Sequence, residues 1–193
     1  MTKAEMRRRM TELLASLSQN EIARRSAAAA RRFMDTEAWS RSDTILCFLS
    51  MPRELDTDGL IAAARASGRR VAVPRIEGGV IRFLFLPPDA GTLPRDAWGI
   101  PVPDPAWEPF DPRDARGALV AAPGLAFDRA GNRLGRGKGF YDGFLRSARA
   151  AGGAGFTAIG LCLSEQIVEE VPHTERDERL QGVVSDLESV LLS

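Results

Sequence analysis

Hydrophobic positions along the chain change period near residue 40. Before it they recur every three or four residues: Met6, Met10, Leu13, Leu14 and Leu17, then Ile22, Ser26, Ala29, Ala30 and Phe33. That spacing gathers each set on one face of an α-helix. Each run is preceded by a hydroxyl residue with a glutamate three places on, Thr2 with Glu5 and Ser18 with Glu21. In such pairs each side chain satisfies a free amide of the helix start. The chain therefore opens as a helical pair, and the basic run Arg7 to Arg9 reads as a solvated face.

After residue 43 the apolar runs become short and β-rich. Thr44 to Leu49 predicts a buried strand. Asp56 and Thr57 open a helix over LIAAARA, ended by Gly68. Val71 to Val73 predicts a second strand, stopped by Pro74, and Val80 to Leu86 a third. Residues 87–117 are rich in Pro, Asp and Gly and carry two tryptophans, which predicts a long irregular connection. Ala118 to Ala122 is a strand running into Pro123-Gly124. Phe140 to Ala151 is a helix closed by Gly152-Gly153, and Phe156 to Leu163 is another buried strand. Ser164 to Val171 predicts a short helix and Gly182 to Ser185 a last strand. Alternating strands and helices predict an α/β fold with a mainly parallel sheet and helices on both faces. Neither repeat nor linker interrupts it, so residues 1–193 are expected to form a single domain.

Composition removes several classes of function. Lys plus Arg and Asp plus Glu both number 26, so the chain has no general attraction for nucleic acid or an anionic membrane, and any anion must be caught by a local cluster. No apolar run reaches the ~20 residues of a membrane helix. The basic N-terminus lacks the apolar stretch of a signal peptide, and the two cysteines, Cys47 and Cys162, sit in apolar runs as reduced structural thiols. A cytoplasmic monomer is expected. With His173 as the one histidine, a His-based triad or a multi-histidine metal site has no material.

The strongest local chemistry lies in Asn132 to Asp142, NRLGRGKGFYD. Gly135, Gly137 and Gly139 alternate, which lets the backbone fold tightly and aim several N–H groups into one concavity that suits an anion. A helix start follows and adds partial positive charge. Arg133, Arg136 and Lys138 supply full charges, and Asp142 stands where it could hold magnesium. Of the 26 basic residues only Lys3 and Lys138 are lysines, positions where a compact ammonium could be needed in place of a planar fork. The P-loop pattern fails, because Asn132 occupies its first glycine position and Gly139 its hydroxyl position. The dinucleotide pattern fails at Phe140. These residues predict nucleoside triphosphate binding by some other scheme. A bare glycine-rich turn is the competing interpretation.

Beyond the loop, several ordered motifs resemble one family, the 5-formyltetrahydrofolate cyclo-ligases. PGLAFDRAGNRLGRGKGFYDGFL (residues 123–145) resembles the family signature. Lys3 and Arg7, FLSMPRELDT (residues 48–57), WGIPVPDP, and IGLCLSEQIVEEVP followed by Asp177 resemble its other blocks. The resemblance implies a three-layer α/β sandwich of the sugar-phosphate isomerase and CoA-transferase type. It also implies an ATP- and Mg2+-dependent closure of 5-formyltetrahydrofolate to 5,10-methenyltetrahydrofolate. By the same resemblance Lys3, Ala4, Glu5, Met6, Arg7, Arg133, Leu134, Gly135, Arg136, Gly137, Lys138, Gly139, Phe140 and Tyr141 would contact ATP. Leu49, Glu54, Arg136, Gly137, Lys138, Gly139 and Phe140 would contact the folate, Arg136 and Lys138 would be catalytic, and Asp142 and Asp177 would serve the metal. The chain departs from the pattern at Phe140, where tyrosine is common, at Val102, where an acid is common, and at Arg176, where histidine is frequent. Two alternatives stand beside it: a nucleotide- or folate-binding protein without activity, and a CoA- or sugar-phosphate-handling enzyme of the same fold.

Overall fold

A computed structural model describes the chain except residues 98, 115, 116, 152–154 and 193. Two helices lead, α1 (Lys3–Ser16) and α2 (Gln19–Met34), followed by a single turn, α3 (Glu37–Ser40). Both capping boxes form: the side chains of Thr2 and Ser18 accept from the amides of Glu5 and Glu21, whose carboxylates bond back to the cap amides. Met6, Met10 and Leu14 of α1, and Ile22, Ala29 and Phe33 of α2, are buried as the periodicity predicts.

Then follow β1 (Thr44–Cys47), α4 (Asp58–Ala66), β2 (Arg70–Glu77), β3 (Val80–Phe85), β4 (Ala118–Ala122), β5 (Ala126–Asp128), β6 (Arg133–Leu134), α5 (Phe140–Ala150), β7 (Thr157–Leu161), β8 (Ile167–Val168), β9 (Gly182–Val184) and β10 (Ser189–Leu191). Seven strands form one sheet in the order β10-β9-β7-β4-β1-β2-β3. Its five inner strands are mutually parallel; β3 and β10 close its edges antiparallel. Alternate residues of the inner strands face opposite ways. Ile45, Cys47, Val71, Val73 and Leu119 join the core under α1, α2 and α4, whereas Leu46, Ala72, Val120 and Phe83 join the core under α5. Three layers result, as expected. Among the described residues no helix is long and apolar enough to cross a membrane.

Three sequence expectations need correction. Pro74 does not stop its strand, because β2 runs on to Glu77 and pairs Pro74 with Phe83 of β3. The Phe83 carbonyl accepts from the Phe110 amide, so Pro74 lies at a site in the ladder where no N–H is called for. Ser164 to Val171 is not a helix. After one 3-10 turn at Ser164–Gln166 the chain becomes β8, which pairs with β5 in a second sheet ordered β6-β5-β8. The end of the long buried run, Phe48 and Leu49, is buried but outside β1. The Gly152-Gly153 helix stop and Trp98 of the WGIP segment lie outside the described residues.

Candidate functional site

The small sheet exists to deliver the glycine loop. Asp128, at the end of β5, is buried and its carboxylate takes four bonds: from the amides of Ala130, Asn132 and Val171 and from the Asn132 side chain. This fixes the turn into β6, and β6 launches residues 135–139 toward α5. Gly137 and Gly139 have φ of 101° and 69°, left-handed backbone that favours glycine. Gly139 is the N-cap of α5 and offers no side-chain cap, so the first amides of the helix are left for another acceptor.

Helix α1 reaches the loop from the other side. One turn apart on the same face, Lys3 and Arg7 diverge to two targets. Arg7 Nε donates to the Gly135 carbonyl at 2.9 Å, and Lys3 Nζ meets Asp177 Oδ2 at 2.5 Å. Arg136 donates to Glu54 Oε1 through Nε at 3.0 Å and Nη2 at 2.6 Å, while the other oxygen of Glu54 accepts from the Met51 amide at 3.1 Å. Buried Arg133 pairs with Asp142 at 2.9 Å and donates to the Pro123 carbonyl. The Glu178 amide also donates to Asp142, which brings the segment carrying Asp177 against α5. Segments far apart in sequence thus converge on one loop: the start of α1, the turn after β1, the start of α5 and the stretch around residue 177.

Arg133 Nε and the Tyr141 hydroxyl are buried without a hydrogen-bond partner, and Lys138, fully outside the ion pairs, has none among the described residues. Lys138 and Phe140 also line a cleft of about 430 Å³ whose other walls include Phe83, Phe110 and Phe144. Burial drives the Asp177 carboxyl up, but Lys3 and the amide and hydroxyl of Thr174 outweigh it and hold the group below its usual range. Burial pushes the Tyr141 hydroxyl well above its ordinary value and the Cys47 thiol up to about 12, so both stay neutral at physiological pH. Cys47 and Cys162 are free, buried thiols, as the sequence implied, and His173 is exposed.

The expected site residues fall into two groups. Lys3, Arg7, Glu54, residues 133–142 and Asp177 come together. Leu49 and Met6 are buried in the core under α1, and Ala4 and Glu5 are exposed, with Glu5 engaged in the Thr2 cap. Asp142 and Asp177 are each paired with a cation, and among the described residues no three His, Cys, Asp or Glu side chains cluster as a ready metal cage. By composition alone Asp177, in the charged stretch HTERDERL, reads as solvated surface. Its one sequence signal is its place after the IGLCLSEQIVEEVP block.

The fold is an open α/β sheet with a cationic glycine loop at a helix start, a geometry suited to receiving an anion. The sequence matches the 5-formyltetrahydrofolate cyclo-ligase family over residues 1–186, and the chain belongs to that family, a family of ligases. A Caenorhabditis elegans protein named probable 5-formyltetrahydrofolate cyclo-ligase is 31% identical, the match covering 98% of this chain and 95% of that one. The Mus musculus 5-formyltetrahydrofolate cyclo-ligase is 29% identical over 94% and 92% of the two chains. The solved structure of Aquifex aeolicus 5,10-methenyltetrahydrofolate synthetase superposes with a TM-score of 0.81 at 25% identity, covering 100% of this chain and 93% of that one.

Proposed function

We propose that this protein closes 5-formyltetrahydrofolate to 5,10-methenyltetrahydrofolate at the expense of ATP, releasing ADP and phosphate. Family membership supplies the reaction. The observation that carries it to these residues is the convergence of Lys3, Arg7, Glu54 and Asp177 on the loop at 135–139.

The chemistry suits this inventory. The formyl group on N5 is an amide whose oxygen leaves poorly. Transfer of the γ-phosphoryl group to that oxygen forms an O–P bond and releases ADP. The N10 lone pair then attacks the formyl carbon, the C–O bond breaks with phosphate as leaving group, and N10 gives up its proton as the methenyl bridge forms. Both nucleophiles belong to the substrate, so the protein needs no Ser, Cys or His nucleophile. What it must supply is positioning and neutralisation of charge on the moving phosphoryl group. The uncapped start of α5, the turn at Gly137 and Gly139, and Arg133, Arg136 and Lys138 fit a triphosphate. Lys3 to Arg7 and Arg133 to Tyr141 would bind ATP. Leu49, Glu54 and Arg136 to Phe140 would bind the folate, with Glu54 accepting from ring N–H groups, and Arg136 and Lys138 would act on the phosphoryl group.

Asp142 and Asp177 fit Mg2+ as it is usually held beside phosphates, by one or two carboxylates with water and phosphate oxygens completing the shell. The metal would draw charge from the phosphates. For that, Arg133 and Lys3 must yield part of their hold on the two carboxylates.

Mixing the protein with 5-formyltetrahydrofolate and MgATP should generate the absorbance of the methenyl product and one ADP per product. Absence of product from folded protein defeats the proposal, and ADP release without folate dependence points to a plain ATPase.

A further inference from the structure

Tyr141 is the second residue of α5, and its side chain turns away from solvent. Its ring sits edge-on to Phe83 at 6.1 Å between centroids, with the Arg133 guanidinium 5.6 Å from its centre. Its hydroxyl is buried and finds no partner. The titratable groups that act on it are Cys47, at the C-terminal end of β1, Arg133, and Glu54 from the turn beyond β1. The hydroxyl therefore lies by the carboxyl ends of the parallel strands, where open α/β sheets receive their ligands.

A buried, unpartnered hydroxyl is costly, on the order of 1–3 kcal/mol, and such groups are few in native proteins. Phenylalanine would fill the same space without that cost, and the adjacent position 140 already carries it. Packing against Phe83 thus accounts for the ring and leaves the oxygen unexplained. We infer that the Tyr141 hydroxyl is a substrate contact, donating a hydrogen bond to an oxygen or nitrogen acceptor on the folate ring system beside the N–H groups that face Glu54. This rests on the proposed folate reaction and moves Tyr141 from the nucleotide to the folate. The ATP phosphates already have the loop amides and the five cations proposed for them, Lys3, Arg7, Arg133, Arg136 and Lys138. A neutral hydroxyl close to Glu54 suits an uncharged heterocycle better than a phosphate. A phenol carries its proton at neutral pH, as a donor requires.

The test is Tyr141→Phe, which keeps the ring and deletes one oxygen. Loss of one buried hydrogen bond to substrate should raise KM for 5-formyltetrahydrofolate by about 5–20-fold, with KM for ATP within about twofold of the parent. Thermal melting without ligands should give a Tm equal to or above that of the parent, because the orphaned oxygen is gone, while the Tm increase caused by the folate shrinks. A folate KM unchanged within twofold overturns the inference. So does a raised ATP KM with the folate KM intact, which would return the hydroxyl to the nucleotide. A lower ligand-free Tm also overturns it, since the oxygen would then have a structural partner. Failure of the parent protein to turn over folate is a different result: it removes the proposed reaction itself.

Discussion

Two clusters of arginines and carboxylates tie distant parts of this chain together, and they differ in how completely they are bonded. In the first, Arg25 of α2 is buried, and each nitrogen of its guanidinium has an acceptor. Nε meets Asp186 at 2.8 Å, Nη1 meets Glu165 at 2.6 Å, and Nη2 meets the Ser164 hydroxyl and both carboxylates. Asp186 in turn accepts from the Ser164 amide, and its carbonyl accepts from Arg32. In the second, around residues 133–142, the same residue types leave Arg133 Nε, the Tyr141 hydroxyl and Lys138 without partners. A closed network locks α2 onto the C-terminal strands. An open one leaves donors that the fold itself does not use.

The comparison breaks most visibly at Arg25. Removing the cation in Arg25→Ala strands Asp186 in a site where its carboxylate is almost covered, and unfolding in urea should show a loss of roughly 3–5 kcal/mol. Turnover per folded molecule should be unchanged. A loss under about 1 kcal/mol would mean that the cluster is no lock.

Equivalent damage at the loop should have the opposite signature. Lys138→Ala removes an exposed, unpaired cation, so the urea midpoint should stay put. Turnover should fall by about 10²–10³-fold, the scale for deleting a charge that stabilises a developing anion. Full activity would take the lysine out of the mechanism.

Acid sharpens the contrast. Hydrogen bonding from Arg25 holds the Glu165 carboxyl below its usual range, and at Asp186 burial pushes upward but Arg25 and the Ser164 amide outweigh it. Both folded-state pKa values lie below the unfolded ones. The stability they contribute is thus present above the ordinary carboxylate range near pH 4 and disappears as pH falls through the folded values. Urea titrations of the parent between pH 6 and pH 3 should show this decline, and Arg25→Ala should show a flatter one. Asp177 shifts in the same direction through Lys3, so Lys3→Ala should flatten the curve by less, its pair being the more exposed.

Local features were legible in the sequence, and distant ones were not. Capping boxes and helical stripes depend on neighbours within four residues, and α1 and α2 begin where Thr2 and Ser18 indicate. Buried runs announced β1, β4 and β7. The two- and three-residue strands β5, β6, β8 and β10 carry no period long enough to read: β8 pairs with β5 far back along the chain, Ile167 with Phe127, and β6 and β10 only close short hairpins onto β5 and β9. Arg25 shows the same limit: it lies on the buried face of α2 because residues 165 and 186 await it, and an arginine there otherwise reads as solvent-facing. In the site, the alternating glycines together with Arg133, Arg136, Lys138 and the helix start that follows were enough to suggest an anion loop. Glu54 and Asp177 came only through the resemblance, since each becomes chemical by meeting Arg136 or Lys3 across the fold.

The smallest expected effect concerns that Glu54–Arg136 pair, where the two substrates would meet. Without ligands, Arg136 spends two donors on Glu54 Oε1, although the first is proposed for phosphate and the second for folate. Each group therefore occupies the other's binding capacity. Folate arriving at Glu54 frees Arg136 for ATP, and linkage requires ATP to favour folate by the same factor. With Arg136 nearly half exposed, the pair is worth only ~0.2–1 kcal/mol, which limits the coupling to at most about fivefold. Glu54→Gln should weaken folate binding yet tighten MgATP binding to the folate-free protein by that small factor, measurable by titration calorimetry. It should also abolish any further gain in ATP affinity when folate is added. If MgATP binds Glu54→Gln no better than the parent, the pair is incidental and the open cluster is assembled independently of its substrates.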